Sequence, residues 1–390
     1  MAKNLEHFRD TTTVSFVLQR MEKYEFNVDD LASRFGVDLR VFCLKSRCES
    51  ETMLIFRAFR DGINRVNSCP TIVISLFVAT LLTALPFGLI LRDSLHTHLG
   101  DSVVAETVES DINWEWWQEF SAQATDLVTT FSPSIIGFGV LLANISGKLD
   151  NKPIVGLLAW ALTAYLFLWI FFVGGVIDRY ARKKPTHVSG FFSACGIYYF
   201  RFLRLGIIAW LMYALLFGVV HALFFNDFYT WITRDFTVER NAFFVRLTLY
   251  LLFGMLLGAT NLVLDYTKIR AVVEDRRSMI GAFLAGLRFV VRRPWKTSGL
   301  YLLNGIVFVI VLLAYAISAP GVDDTGISMW LAFLIGQLYV LARLWTKLLF
   351  YASQTSLFQD ELAHADYAAA PETGYLEPPT AEAIEQVRTH

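Results

Sequence analysis

Cysteine and charged residues are both scarce in this sequence. Only 4 of its 390 residues are cysteine, and none stands in a Cys-x-x-Cys pair, so a structural zinc site is not expected. Asp, Glu, Lys and Arg make up 18% of the chain and the net charge is -1, which argues against nucleic acid as a partner. In contrast, 55% of the residues are hydrophobic. Many of them form runs of about 20, a pattern that excludes a soluble globular enzyme.

The familiar catalytic motifs are missing as well. The chain contains no Gly-x-Ser-x-Gly elbow, no Gly-x-x-x-x-Gly-Lys-Ser/Thr phosphate loop, no His-Glu-x-x-His zinc motif and no Gly-x-Gly-x-x-Gly fingerprint. His96 and His98 are two residues apart and have no third ligand at metal spacing. We therefore predict no catalytic residue, no metal and no cofactor, and an enzyme is the least favoured class of protein.

Six apolar runs are long enough to cross about 30 Å of hydrocarbon as helices. They comprise residues 71–91, 154–177, 203–225, 243–264, 298–319 and 327–351. A seventh run, residues 134–145, is too short, and we interpret it as an interfacial or re-entrant helix in the long loop 92–153. The high aromatic content, 15%, is typical of membrane proteins with aromatic belts. The predicted fold class is all-α, a polytopic membrane protein with six transmembrane helices.

The distribution of Lys and Arg predicts the orientation. Basic residues are frequent before the first span, between the second and third and between the fourth and fifth, and they are few in the other loops. Both termini are therefore predicted to be cytoplasmic, and the four cysteines, near that side, to be reduced. The first apolar run begins too far along the chain for a cleaved signal peptide, so we expect the chain to remain uncleaved.

The segments before the first and fifth spans match without gaps. Ala58, Phe59, Gly62, Val66 and Pro70 correspond to Ala282, Phe283, Gly286, Val290 and Pro294. A weaker copy at residues 192–197 precedes the third span, and the ends of the second and fourth spans match around Asp178 and Asp265. The pattern predicts three parallel repeats, each an interfacial helix and a transmembrane hairpin, around a pseudo-threefold axis. The alternative is that lipid-facing helices converge on similar apolar residues.

The polar parts flank this membrane domain, which is predicted to span residues 56–358. Residues 1–55 are predicted to be a small cytoplasmic helical extension, and residues 359–390, rich in Ala, Pro and Glu, a disordered cytoplasmic tail. Residues 29–37 resemble the first half of a helix-turn-helix, but too few bases follow for us to expect DNA binding. In the acidic loop, Trp114, Trp116 and Trp117 favour an aromatic anchor at the bilayer surface, with a carbohydrate or lipid-headgroup contact as the alternative.

Five residues are candidates for ligand binding. Asp178 and Asp265 stand at the ends of the second and fourth spans and are followed by bases. They either form ion pairs that close the helix ends or surround a vestibule that binds a cation or a polar headgroup. Arg343 and Lys347 lie one turn apart in the last span, where they snorkel to anionic lipid, pair with these carboxylates or line a wet cavity. Asn261, like Asn304 and Gln337, bonds neighbouring helices or coordinates a ligand.

Several of these segments resemble a known group of proteins. The motifs are Gly174-Gly175-Val176-Ile177-Asp178-Arg179-Tyr180, Gly190-Phe191-Phe192 with Arg201 and Arg204, and Leu264-Asp265-Tyr266-Thr267-Lys268-Ile269-Arg270. They resemble uncharacterised six-span bacterial membrane proteins, which are similar to the non-catalytic membrane domain of some glycerophosphodiester phosphodiesterases. The resemblance covers about residues 55–358 and implies a bacterial inner membrane. Because the phosphodiesterase metal-binding motif is missing, it implies no such activity.

The sequence has few intramembrane charges, no obvious broken helix pair and no ATPase module. These absences favour a non-catalytic accessory or assembly component of the bacterial inner membrane. Its partners would be membrane lipids and a protein in the membrane, not nucleic acid. The alternative is a transporter, or a lipid- or small-ligand-binding membrane protein, with a polar cavity that faces the cytoplasm.

Overall fold

The computed structural model describes residues 39–100, 104, 113–130, 138–152, 156–182, 187–318 and 327–362. Within these ranges the chain is helical and forms no β-strand. The helices are α1 (Leu39–Asn67), α2 (Pro70–Leu99), α3 (Trp114–Gln123), α4 (Phe138–Leu149), α5 (Gly156–Arg182), α6 (Val188–Leu215), α7 (Glu239–Val273), α8 (Met279–Arg292), α9 (Pro294–Ser318) and α10 (Ile327–Glu361). A 3₁₀ turn, Asp126–Thr130, follows α3, and α6 continues through π-helical segments, Leu216–Val220 and Leu223–Phe228, to Tyr229–Thr233.

Six helices are long and apolar enough to cross a membrane, and each includes all or nearly all of one predicted span. They are α2, α5, α6 with its continuation, α7, α9 and α10. The all-α fold class with six potential transmembrane helices is therefore confirmed. The helix-turn-helix resemblance and most of the predicted tail lie outside the described residues. The predicted boundaries after residues 55 and 358 fall inside α1 and α10.

Proline decides where two of the outgoing spans begin. Pro70 and Pro294 open α2 and α9, where their missing N–H and fixed φ are tolerated, and each separates the span from the helix before it. No proline stands at the corresponding place in α6. The separate interfacial helix predicted around residues 192–197 is therefore not formed, and these residues are the first part of one continuous helix.

The buried core lies at one end of the bundle. The last turns of α5, α7 and α10, the three helices that complete the hairpins, pack against each other there. Every residue from Tyr351 to Phe358 is buried, as are Tyr180, Tyr266 and Ile269. Away from this packed end, α2, α6 and α9 expose large apolar side chains such as Leu82 and Trp210, as expected of helices that face lipid. We call the packed end the capped end.

Three helical segments form this cap: α1, the first part of α6, and α8. α1 packs on α10, α6 on α5, and α8 on α7, so each lies on the returning helix of the preceding hairpin and α1 closes the circle with the last one. Glycine permits each close approach. The pairs are Gly62 with Ser353, Gly175 with Cys195 and Gly286 with Thr267. This order is compatible with three parallel units, and the repeat itself stays a prediction.

Arginines of the same segments hold the ends of the returning helices. Arg65 Nη1 donates to the Tyr180 carbonyl and to Gln359 Oε1, both at 2.9 Å. Arg201 pairs with Asp275 at 2.5 Å, and Arg293 with Glu361 at 2.5 Å. Burial lowers the pKa of Arg65, which the adjacent carboxylate of Asp61 opposes. Apolar packing and ion pairs thus close the capped end together.

Candidate functional site

An ion pair in α7 lies between the three returning helices. Asp265 is 7% exposed, and its Oδ1 accepts a hydrogen bond from Lys268 Nζ at 2.9 Å, one turn further along. The same ammonium group lies 3.4 Å from the Tyr351 hydroxyl of α10. The predicted pairing of Asp265 with a following base is therefore confirmed for Lys268. Arg270, a second base that follows Asp265 in the sequence, instead donates hydrogen bonds to Glu274 and to the Ala285 carbonyl.

Two cations of α10 continue this polar region away from the capped end. Lys347 Nζ lies 3.5 Å from the centre of the Trp169 ring of α5, a cation–π contact. The charges that act on Lys347 include Lys268, Arg343, Asp265 and Lys148. Within the described ranges neither Lys347 nor Arg343 has an ion-pair partner. The pairing of these cations with Asp178 or Asp265, one of the sequence-based alternatives, is not formed.

A cavity of about 240 Å³ lies beside Arg343. It is lined by Asn144, Ile145, Lys148, Phe308, Leu312, Tyr339 and Arg343. Three of these residues belong to α4, so the short seventh apolar run contributes a helix that lines one side of the cavity, opposite residues of α9 and α10. Lys148 thus adds a cation that the sequence did not indicate. The two placements predicted for this run, interfacial and re-entrant, both stay predictions.

Hydrogen bonds and an ion pair connect the end of α4 to the continuation of α6 and to α7. The Leu149 carbonyl lies 2.9 Å from His221 Nε2, which stands between the two π-helical segments of α6. Asp150 accepts a hydrogen bond from the Tyr250 hydroxyl and lies 3.6 Å from Arg246. The hydrogen bond from Tyr250 lowers the pKa of Asp150. Sequence spacing could not indicate these contacts of His221 and Arg246, because their partners lie 72 and 96 residues away.

Hydroxyl and amide groups complete the polar lining. The Tyr213 hydroxyl of α6 donates to Asn261 Oδ1 at 3.1 Å, and Tyr301 of α9 lies beside the same asparagine. Asn261 therefore connects helices, one of the two roles predicted for it. Asn304 does the same, since its amide donates to Ser353 Oγ at 2.8 Å. These bonds hold α6, α7, α9 and α10 around the charged residues.

Asp178 lies in different surroundings from Asp265. It is 4% exposed, pairs with Arg182 at 2.8 Å one turn on, and its charge acts on Cys195 and Tyr198 of α6. The predicted helix-closing pair of Asp178 is therefore confirmed. The two carboxylates that match in the sequence each have their own base, and Asp178 contributes to the contact between α5 and α6.

The charges around the Asp265–Lys268 ion pair and the cavity are unbalanced. We define the interior cluster as Asp265, Lys268, Arg343, Lys347 and Lys148. Asp265 is buried, whereas Arg343, Lys347 and Lys148 are exposed on the open side of the helices. The cluster contains four cations and one carboxylate, and that carboxylate already pairs with Lys268. Among the described residues, no group of three or more His, Cys, Asp or Glu side chains could hold a metal ion. This donor set therefore suits an anion, because ammonium and guanidinium groups have only hydrogen-bond donors to offer.

Comparison of the chain with protein-family models, with curated proteins and with solved structures gives no match. The fold and the site define the class by themselves: an all-α membrane protein with six helices long and apolar enough to cross the bilayer and with a basic cavity between its helices.

Proposed function

We propose that this protein binds a small anion, or the anionic headgroup of an amphiphile, in the interior cluster. This corresponds to the ligand-binding or transport alternative from the sequence. The observation that carries it is the excess of cations: Arg343 and Lys148 line the cavity, Lys347 lies one turn from Arg343, and none of the three has an acidic partner in the described part of the chain.

Such an excess is costly without a ligand. Arg343 and Lys347 stand within a helix that is apolar enough to span the membrane, and an unpaired charge in contact with hydrocarbon is unfavourable by several kcal/mol unless water or a counter-ion compensates it. Snorkelling relieves this cost for cations near a helix end, but Lys347 turns to the Trp169 ring of a neighbouring helix. A bound anion would neutralise the cluster, and this is the physical reason to expect one.

The lining indicates what kind of anion fits. On the polar side, Lys148 and Arg343 can each donate to oxygen atoms, and Asn144 and Tyr339 can add neutral hydrogen bonds. On the other side, Phe308 and Leu312 are apolar. A volume of about 240 Å³ is smaller than typical drug-sized pockets and suits a carboxylate or phosphate group with a few waters.

The direction of access follows from the packing. Beyond Tyr351 and Lys268, the last turns of α7 and α10 are buried among each other, whereas the cavity lies on the opposite side of the cluster, next to α4. The route expected from the cytoplasm past Asp178 and Asp265 is therefore not the one we propose. Access between α4 and the spans α9 and α10 fits the position of the cavity better.

Location and orientation remain as the sequence predicts them: a bacterial inner membrane, with both termini and the capped end in the cytoplasm. The arginines of the cap support this orientation, since basic residues concentrate on the cytoplasmic side of membrane proteins. The cyclic order of the cap supports three parallel repeats. An accessory role stays a prediction by elimination, and a passive scaffold would not need the interior cations.

The experiment is a native mass spectrum of the full-length protein after gentle extraction. We expect an anionic adduct on the wild type that is lost in Arg343→Gln and Lys347→Gln, because each removes a charged donor. The loss of one such donor weakens binding about tenfold to a hundredfold. Arg240→Gln is the matched control, since Arg240 is an exposed cation at the opposite end of α7.

The melting temperature of the variant distinguishes a binding site from a structural role. Without ligand, Arg343→Gln removes an unpaired charge, so its melting temperature should equal or exceed that of the wild type. An adduct that survives in both variants, or no adduct together with no stabilisation by inorganic phosphate, contradicts the proposal.

A further inference from the structure

A second basic cavity lies at the capped end, against α8. Its volume is about 430 Å³, nearly twice that of the interior cavity. The lining comprises Arg270, Arg276, Gly281, Leu284, Ala285, Arg288, Phe289, Arg292, Arg293 and Leu362. We call it the arginine groove. It is separate from the interior cluster and shares no residue with it.

The groove has more arginines than nearby carboxylates can neutralise. Arg270 and Arg276 share Glu274, and Arg293 binds Glu361. Arg288 and Arg292 are exposed and have no acidic partner in the described ranges. Guanidinium groups bind phosphate oxygens through paired hydrogen bonds, so the two free arginines favour a phosphate-bearing ligand.

The helical positions on α8 explain the shape of the groove. Gly281, Ala285, Arg288 and Arg292 follow one face at spacings of three and four residues. The two small residues leave room over the helix, and the two arginines continue the same face. A second face, with Met279, Ala282, Gly286 and Phe289, is buried against the core.

The third face of α8 indicates where the phosphate comes from. Ile280, Leu284, Leu287 and Val291 are exposed at helical spacing, and Trp295 follows with 81% of its surface exposed. An apolar stripe beside arginines, ending in a tryptophan, is typical of a helix that lies at the bilayer surface. α8 connects two spanning helices, α7 and α9, so it lies where both leave the membrane.

We propose that the arginine groove holds the phosphate headgroup of an anionic membrane lipid whose acyl chains lie along the exposed apolar stripe of α8. The headgroup reaches Arg288 and Arg292 directly. Arg270, Arg276 and Arg293, already held by carboxylates, add positive potential behind it. The site does not depend on the function proposed for the interior cluster.

The test uses the full-length protein in nanodiscs made from an equimolar mixture of phosphatidylcholine and phosphatidylglycerol. Lipids that remain bound after extraction are measured by native mass spectrometry. We expect the wild type to retain phosphatidylglycerol preferentially. The double variant Arg288→Gln, Arg292→Gln should weaken this retention about thirtyfold, because each basic residue near an anionic surface contributes a separate increment.

Arg277→Gln is the matched control, since Arg277 is an exposed arginine of the α7–α8 connection outside the groove. Equal retention by the double variant and this control overturns the proposal. Displacement of the lipid by excess inorganic phosphate does so as well, because the groove would then take free phosphate. Loss of retention in Arg343→Gln rather than in the double variant would assign the lipid to the interior cluster.

Discussion

The contact between Gly62 of α1 and Ser353 of α10 closes the ring of the cap. A Cβ atom added at Gly62 would lie 2.7 Å from Ser353 Cβ and 2.8 Å from its Cα and backbone nitrogen. Carbon atoms prefer a separation of about 3.5–4.0 Å, so Gly62→Ala forces the two helices apart by on the order of 1 Å. Because two of the clashing atoms belong to the backbone, a rotamer change of Ser353 cannot relieve the overlap.

The free-energy change follows from three contributions. Overpacking of this kind lowers the free energy of unfolding by about 1–3 kcal/mol, and the higher helix propensity of alanine raises it by up to about 1 kcal/mol. Displacement of Ser353 also strains its hydrogen bond with Asn304, a side chain with no exposed surface, and an unsatisfied buried amide costs about 1–3 kcal/mol. We expect Gly62→Ala to lower the free energy of unfolding by about 2–4 kcal/mol.

The assay is thermal unfolding of the purified protein in detergent. Gly254→Ala is the matched control, because nothing lies within 4 Å of a Cβ at that position of α7. The control should melt at or slightly above the wild-type temperature, and Gly62→Ala on the order of 5 °C below it. Equal melting temperatures for the two variants would refute the close packing of α1 on α10.

Two further predictions concern the sign of the ligand charge and the orientation of the chain. Asp265→Asn removes the only carboxylate of the interior cluster and leaves Lys268 with the Tyr351 hydroxyl. Stability should fall by about 2 kcal/mol, but the native mass spectrum should keep the anionic adduct, whereas loss of the adduct would mean that the carboxylate itself binds the ligand. For orientation, Asp235→Cys and Arg277→Cys are compared in a chain whose natural cysteines are replaced by serine. A membrane-impermeant maleimide should label the first variant in intact cells and the second only after permeabilisation, and the reverse pattern would place the capped end outside the cell.

The sequence was informative about the membrane spans because their signal is local. A run of apolar residues such as 298–319 must be helical to satisfy its own backbone in hydrocarbon, whatever its neighbours are. Pro70 and Pro294 likewise fix the beginnings of α2 and α9 by covalent geometry alone. The absence of proline near residue 200 was available in the same sequence, and it explains why α6 is continuous where a separate helix was predicted.

The candidate site was only partly accessible from the sequence. Spacing along one helix identified the pairs of Asp178 with Arg182 and of Asp265 with Lys268, since residues three or four apart face each other. It also identified Arg343 and Lys347 as unusual charges within a span. It did not reveal that the matching carboxylates have different surroundings, because that depends on which helix packs beside each of them.

Only the tertiary structure brings together residues that are distant in the chain. Lys347 of α10 contacts the Trp169 ring of α5, Lys148 of α4 lines the same cavity as Arg343, and the arginine groove forms between α8 and the end of α7. Helix formation and membrane crossing are determined by nearest neighbours in the sequence. The balance of charge around the cavity is determined by packing. For that reason the sequence predicted a binding site for a cation or a polar headgroup, whereas we propose one for an anion.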